Sequence, residues 1–213
     1  MKTIRAAFAD YFGKFRRQKQ REISDSQALG VFLETRASHV AQTSLYGYLR
    51  TRAGSRFPEL FENDAFVTAI NIAKWQLWIS CLSDLTVYAG GLLSCQADKE
   101  TSARTTTAII KETARDILER TQVPEDAGEE FPQSCATYLS RLDAVQWEEV
   151  GDNEAAFTES PEALVYWAPI VDELKALDGE IVRNSVRFRW QEVRRDLRRM
   201  LDARAVFEAR SSH

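Results

Sequence analysis

Between Asp64 and Cys95 the chain reads DAFVTAINIAKWQLWISCLSDLTVYAGGLLSC. Phe66, Ile70, Ala73, Leu77, Cys81, Leu85, Tyr88, Leu92 and Cys95 recur at steps of three and four, the repeat of one helical face. Val67, Trp75, Trp78, Leu82, Ala89 and Leu93 cover the neighbouring face. A helix apolar around so much of its girth needs partners on several sides. The pattern therefore predicts a buried central helix with other helices around it. A membrane span needs roughly 20 consecutive, mostly apolar residues, and Lys74 and Asp84 interrupt this one, leaving the 13 residues Leu85 to Ala97 as the longest stretch between charges. Asp84 follows Phe66 by five helical turns and so stands in the middle of the apolar stripe.

The same period organises the rest of the chain. Residues 2–20 predict an amphipathic helix with Ile4, Phe8, Tyr11, Phe12 and Phe15 on one side and basic residues around the remainder. A second helix is expected from Asp25 or Ser26, either able to cap it, to about Arg52. Its packing face holds Leu29, Leu33, Ala37, Val40, Ser44 and Gly47, beside a stripe of Phe32, Arg36, His39, Thr43, Tyr46 and Arg50. Asn63 is placed to cap the central helix, which Gly90 and Gly91 are expected to kink or loosen. Further helices are predicted over 99–122 and 131–147, separated by an acidic loop at 124–130. A second acidic stretch, 148–159, leads to Ser160-Pro161-Glu162, a capping serine followed by proline and an acid. Pro169 is expected to kink the helix that begins there, Asp178-Gly179 to stop it, and a last helix to cover about 180–209. No internal repeat appears. The fold class is all-α, an irregular helical bundle around the 64–95 helix, with 22–213 as one domain behind the N-terminal helix 1–21.

Composition agrees with that class and narrows the setting. In 213 residues, nine glycines and five prolines are too few for the turns of an all-β fold. Three cysteines, Cys81, Cys95 and Cys135, form no Cys-x-x-Cys pair. Two of them sit on the apolar stripe, as small buried hydrophobes do. That usage suits the reducing cytoplasm.

The net charge of −4 conceals a segregation: +6 over residues 1–21, −1 over 22–115, −14 over 116–180 and +5 over 181–210. An acidic middle between basic ends can neutralise itself within the fold. The basic, aromatic N-terminal helix, with Phe8, Phe12, Phe15, Arg16 and Arg17, suits an anionic membrane surface. Docking onto its own bundle is the commoner fate of such a helix.

Several chemistries are missing from the sequence. It has no glycine-rich phosphate loop, dinucleotide fingerprint, His-Glu-x-x-His helix, Glu-x-x-His pair or Gly-x-Ser-x-Gly elbow. With His39 and His213 the only histidines, no His-rich metal site is available, and no cofactor is implied. One constellation remains: Arg36, His39, Thr43, Tyr46 and Arg50 on the second helix, facing Asp84 on the central one. A buried carboxylate is costly unless paired. In one reading Asp84 orients His39 as a general base in a pocket with Tyr46 and Arg50. In the other it forms an ion pair that sets helix register, the commoner origin of such a pattern. A second basic feature, the ridge of Arg183, Arg187, Arg194 and Arg198 on the last helix, suits an acidic protein partner or the chain's own acidic segment better than nucleic acid, since few aromatics interleave it.

The stretch Ala73-Lys74-Trp75-Gln76-Leu77-Trp78 through Asp84-Leu85-Thr86 resembles one in uncharacterised proteobacterial helical proteins, some of them labelled esterase; the resemblance covers about 34–95. It implies a bacterial protein, and the esterase label implies a serine nucleophile, for which no local pattern is present. The expectation from the sequence is a non-enzymatic interaction or scaffold protein. It would bind another protein at or near the inner membrane surface, and homo-oligomers are compatible with it. The alternative is a small-molecule-binding or hydrolase-type helical enzyme using His39, Tyr46, Arg50 and Asp84.

Overall fold

In the computed structural model, residues 22–96, 103–123 and 125–211 are described. They form eight α-helices: α1 (Ser26–Ala53), α2 (Asp64–Gln96), α3 (Ala103–Arg120), α4 (Phe131–Ala144), α5 (Trp147–Val150), α6 (Glu159–Trp167), α7 (Asp172–Met200) and α8 (Ala203–Ser211). Short 3₁₀ turns occupy Gly54–Glu62, Glu125–Ala127 and Glu154–Ala156. Among the described residues there is no strand, only an isolated bridge between Ile23 and Leu201.

Local signals set most of these boundaries. Asp25 accepts a hydrogen bond from the Ala28 amide at 2.7 Å and starts α1. Gly54, at φ +55°, ends it by returning its N–H to the Arg50 carbonyl. Asn63 caps α2 through the Phe66 amide at 3.1 Å.

The central element is α2, as its all-round apolarity predicts. Every residue from Cys81 to Leu93 is buried, and α1, α3, α4, α5, α6 and α8 all pack against it. The helix is long and apolar enough to cross a membrane, yet 89% of its most apolar window is buried inside the fold. Protein, not lipid, covers it here.

Four expectations are corrected. Gly90 and Gly91 do not break α2. They form a seat: a Cβ at Gly90 would overlap the Trp147 ring, and one at Gly91 would overlap Val150 and the Gly151 carbonyl. The short helix α5 can press onto α2 only because those two side chains are missing. Pro169 kinks no helix; it stands in the gap between α6 and α7. The residue before it, Ala168, takes the extended ψ of 130° that a following proline favours. Asp178-Gly179 does not stop a helix either, since α7 runs through it from Asp172 to Met200. Gly179 keeps a helical φ, and Asp178 is ion-paired with Arg52 of α1, which holds this turn in place. The break falls instead at Leu201, whose backbone joins Ile23. Cys95 is exposed, whereas Cys81 is buried as expected. By that last turn α2 has emerged from its covering helices. Residues 1–21, where the amphipathic N-terminal helix is expected, lie outside the described residues.

Candidate functional site

The strongest candidate in the sequence is Asp84, and its carboxylate is fully buried at 0% exposure. Its partners come from α4 and α6. Arg141 Nη1 donates to Oδ1 at 2.9 Å, and the Glu159 amide donates to the same oxygen at 3.1 Å. The Ser160 amide and hydroxyl both donate to Oδ2, at 2.8 and 2.7 Å. Arg141 also donates to Ser83 Oγ at 2.8 Å and to the Ala156 carbonyl at 3.0 Å. The Trp190 indole N–H of α7 donates to Ser160 Oγ at 3.0 Å.

Glu159 and Ser160 are the first residues of α6, whose amides have no acceptor within their own helix. Asp84 supplies that acceptor from another helix, and its negative charge meets the positive end of the α6 dipole. Asp84 is thus a helix cap in trans. The local pattern makes Ser160 the cap of α6. Its hydroxyl instead serves Asp84, because α6 begins two residues earlier than that pattern implies, at Glu159.

Burial pushes the Asp84 carboxyl above its ordinary value, opposed by the Arg141 charge and the Ser160 hydrogen bonds. Burial likewise pushes the Cys81 thiol well up, and the nearby Asp84 charge adds to this, so Cys81 is an unreactive core thiol. Ser160 is 0% exposed with its hydroxyl engaged on both sides. Such a serine has no access to a substrate.

The partners anticipated for Asp84 on α1 face elsewhere. Arg36 pairs with Asp196 of α7 at 2.9 Å. Thr43 returns its hydroxyl to the His39 carbonyl at 2.7 Å. His39 is lowered by burial first, then by Arg36 and Arg189. Tyr46 is raised by burial, and Arg50 is exposed. The α1 stripe thus lies toward α7, while Asp84 lies toward α4 and α6. The geometry does not bring the two together in one pocket.

The arginine ridge on α7 is only partly open. Arg198 pairs with Asp152 at 2.9 Å. Arg194, with a side chain 14% exposed, pairs with Glu154 at 3.3 Å and Asp152 at 3.7 Å. Arg183 pairs with Glu162 at 2.7 Å, and Arg187 is exposed, donating to Asn184 at 2.9 Å. The acidic 148–159 segment therefore folds onto the C-terminal half of the ridge. Asp152 is the clasp, because it also accepts from the Tyr88 hydroxyl of α2 at 2.6 Å. Burial tends to push the Asp152 carboxyl up, but the Tyr88 hydrogen bond and the two arginines outweigh it, and it lies below its ordinary value. Tyr88 is pushed up to about 12 by burial and by this bond.

A feature that periodicity did not single out lies on the far side of α7. Leu177, Ile181 and Phe188 are 76%, 74% and 71% exposed, and Tyr166 of α6 and Val171 at the start of α7 are 71% and 61% exposed. The three α7 residues fall within about 40° of one another by the helical period. They stand about 160° from the buried row Val182, Val186, Trp190, Val193 and Leu197. A groove of about 550 Å³, lined by Val165, Tyr166, Trp167, Lys175 and Arg183 among others, opens at the same end. Phe8, Phe12, Phe15, Arg16 and Arg17 lie outside the described residues. Among the described residues no group of three or more His, Cys, Asp or Glu could hold a metal.

The chain matches no family model, no curated protein and no solved structure.

Two measurements check this geometry. In urea unfolding, Asp84→Leu is expected to cost about 3–5 kcal/mol, the range for breaking a buried pair. A double-mutant cycle should show coupling of Asp84 with Arg141, and additivity with Arg36, His39, Tyr46 and Arg50. For Asp152, the folded carboxyl titrates below its ordinary 3.8. The stability difference between wild type and Asp152→Asn should therefore be fully present above pH 3.8 and shrink as pH falls through the lower folded value. A difference that grew on acidification would contradict the clasp.

Proposed function

We propose that this protein is a non-enzymatic helical interaction protein that docks a protein partner on the solvent face of α7. The carrying observation is the row of Leu177, Ile181 and Phe188 on one side of α7, each more than 70% exposed. Exposed leucines scattered singly need no explanation, but several large apolar side chains aligned on one helix face and flanked by charge are the mark of a contact surface. The anchor helix beneath it is rigid, seated on α1 and α6 by the opposite apolar row. A pre-organised helix face loses little freedom on binding.

The catalytic alternative has less behind it. His39 and Asp84 serve different interfaces, and the polar atoms around the buried Asp84 carboxylate satisfy one another.

The test places a photo-crosslinking residue at position 177 or 188 in the whole chain, in the producing cell. Exposed positions 115 and 119 on α3 serve as controls. Protein adducts should form from 177 and 188 and not from the controls. Equal yields from all four positions, or no adduct from the α7 pair, would remove the reading.

The proposed setting is the cytoplasm, with residues 1–21 supplying contact with an anionic membrane surface. Their +6 charge and interspersed phenylalanines support it. Sedimentation with anionic vesicles should be lost when residues 1–21 are deleted, with the thermal midpoint nearly unchanged. Unfolding of the shortened chain would instead make Phe8, Phe12 and Phe15 part of the core.

A further inference from the structure

We infer that the partner of the α7 face is a second copy of this chain, packed antiparallel along α7. The inference rests on the reading of that face as a docking surface.

The spacing on the exposed side of α7 is that of a helix-pairing seam. Leu174, Leu177, Ile181, Asn184 and Phe188 succeed one another at steps of three and four, alternating as the two core positions of a heptad do. Leu174 is partly buried at the foot of the seam, and Leu177, Ile181 and Phe188 stand open.

Charge along α7 then chooses the partner. The half from Asp172 to Ser185 holds four acids and two bases, and the half from Val186 to Met200 holds six arginines and two acids. A second copy laid parallel would set acid on acid and base on base. Laid antiparallel, it sets the acidic half of each copy against the basic half of the other. The surface is complementary to itself, which is what a twofold interface demands.

The register is set by the same residues. The midpoints of Leu177 with Phe188, of Ile181 with Asn184, and of Glu180 with Arg187 agree to within about one residue, or ~1.5 Å of helical rise. One twofold axis thus places Leu177 of each copy against Phe188 of the other. It also brings Glu180 of each copy beside the other's Arg187, on the flank of the seam. Glu180 and Arg187 are both exposed. Arg194, one heptad beyond Arg187, is already engaged by Asp152 and Glu154, which leaves the Glu180–Arg187 contact as the one that sets direction.

The chain's own residues 1–21 fit this face less well. They carry +6 and join the described chain where Ile23 meets Leu201, at the arginine-rich end of α7. To reach Phe188 they would run past Arg199 and Arg195, base over base.

The test is sedimentation equilibrium of the whole chain over a wide concentration range. The wild type should show a monomer–dimer equilibrium. Glu180→Arg and Arg187→Glu, separately, should each weaken dimerisation about tenfold or more, as like-charge contacts at an interface do. An equimolar mixture of the two variants should recover the wild-type affinity, because each mixed dimer regains both opposite-charge contacts. Phe188→Asp should give monomer throughout. A wild type that stays monomeric, variants that dimerise as the wild type does, or a mixture without recovery would each overturn the inference.

Crosslinked adducts from positions 177 and 188 separate this inference from the reading beneath it. Adducts of twice the chain mass support self-association. Adducts of another mass, with a monomeric wild type, keep the docking face and discard the second copy, whereas crosslinks mapped to the chain's own residues 1–21 discard both. No adduct at all discards both.

Discussion

A carboxylate with no access to water has to be answered in full, and the way Asp84 is answered ties this bundle together. Removing an ionised group from solvent costs several kcal/mol even after relaxation. Asp84 recovers that cost through one guanidinium, two backbone amides and one hydroxyl. Those donors belong to α4 and to the first turn of α6, and the hydroxyl in turn receives the Trp190 N–H of α7. Three helices converge on one side chain of α2, α7 through the Ser160 hydroxyl. Apolar packing tolerates sliding and substitution, whereas this set of donors has one arrangement that satisfies all its members. The start of α6, the depth of Arg141 and the rotation of α7 about its axis are fixed together.

That rotation has a consequence for the surface. With Trp190 turned inward to Ser160, the row of Val182, Val186, Val193 and Leu197 is buried. Leu177, Ile181 and Phe188 are then carried to the opposite side, into water. Asp152 works from the other end, holding Arg194 and Arg198 close to Tyr88. The acidic segment quiets the basic end of α7 without covering its apolar row. The helix so placed has a buried face, an exposed apolar face and a graded charge between its ends.

How much of this is legible in the chain alone differs residue by residue. The all-round apolarity of 64–95 identifies the central helix, and periodicity alone puts Asp84 inside it. Its partners are not legible, because Arg141 and Ser160 lie 57 and 76 residues further on and nothing local connects them. Ser160 is recognisable as a polar residue at a helix start, but whether a serine caps its own helix or serves a neighbour is settled by tertiary packing. The glycine pair at 90–91 suggests backbone freedom, when the reason for it is room for Trp147. Asp178-Gly179 has the local form of a stop, yet α7 runs through it with Asp178 ion-paired to Arg52. Leu177 and Ile181 escape for a simpler reason. Periodicity assigns apolar positions to the interior, and α7 has two apolar faces.

Asp84 anchors α6 to the core, and hydrogen exchange at two amides tests that claim most directly. The N–H groups of Glu159 and Ser160 stand at a helix start, where exchange is ordinarily fast for want of an acceptor. Here they bond to a fully buried carboxylate. They should exchange only through global unfolding, with the same opening free energy as the amides of Cys81 to Leu93. Fast exchange at Glu159 and Ser160 while the α2 amides remain protected would contradict it.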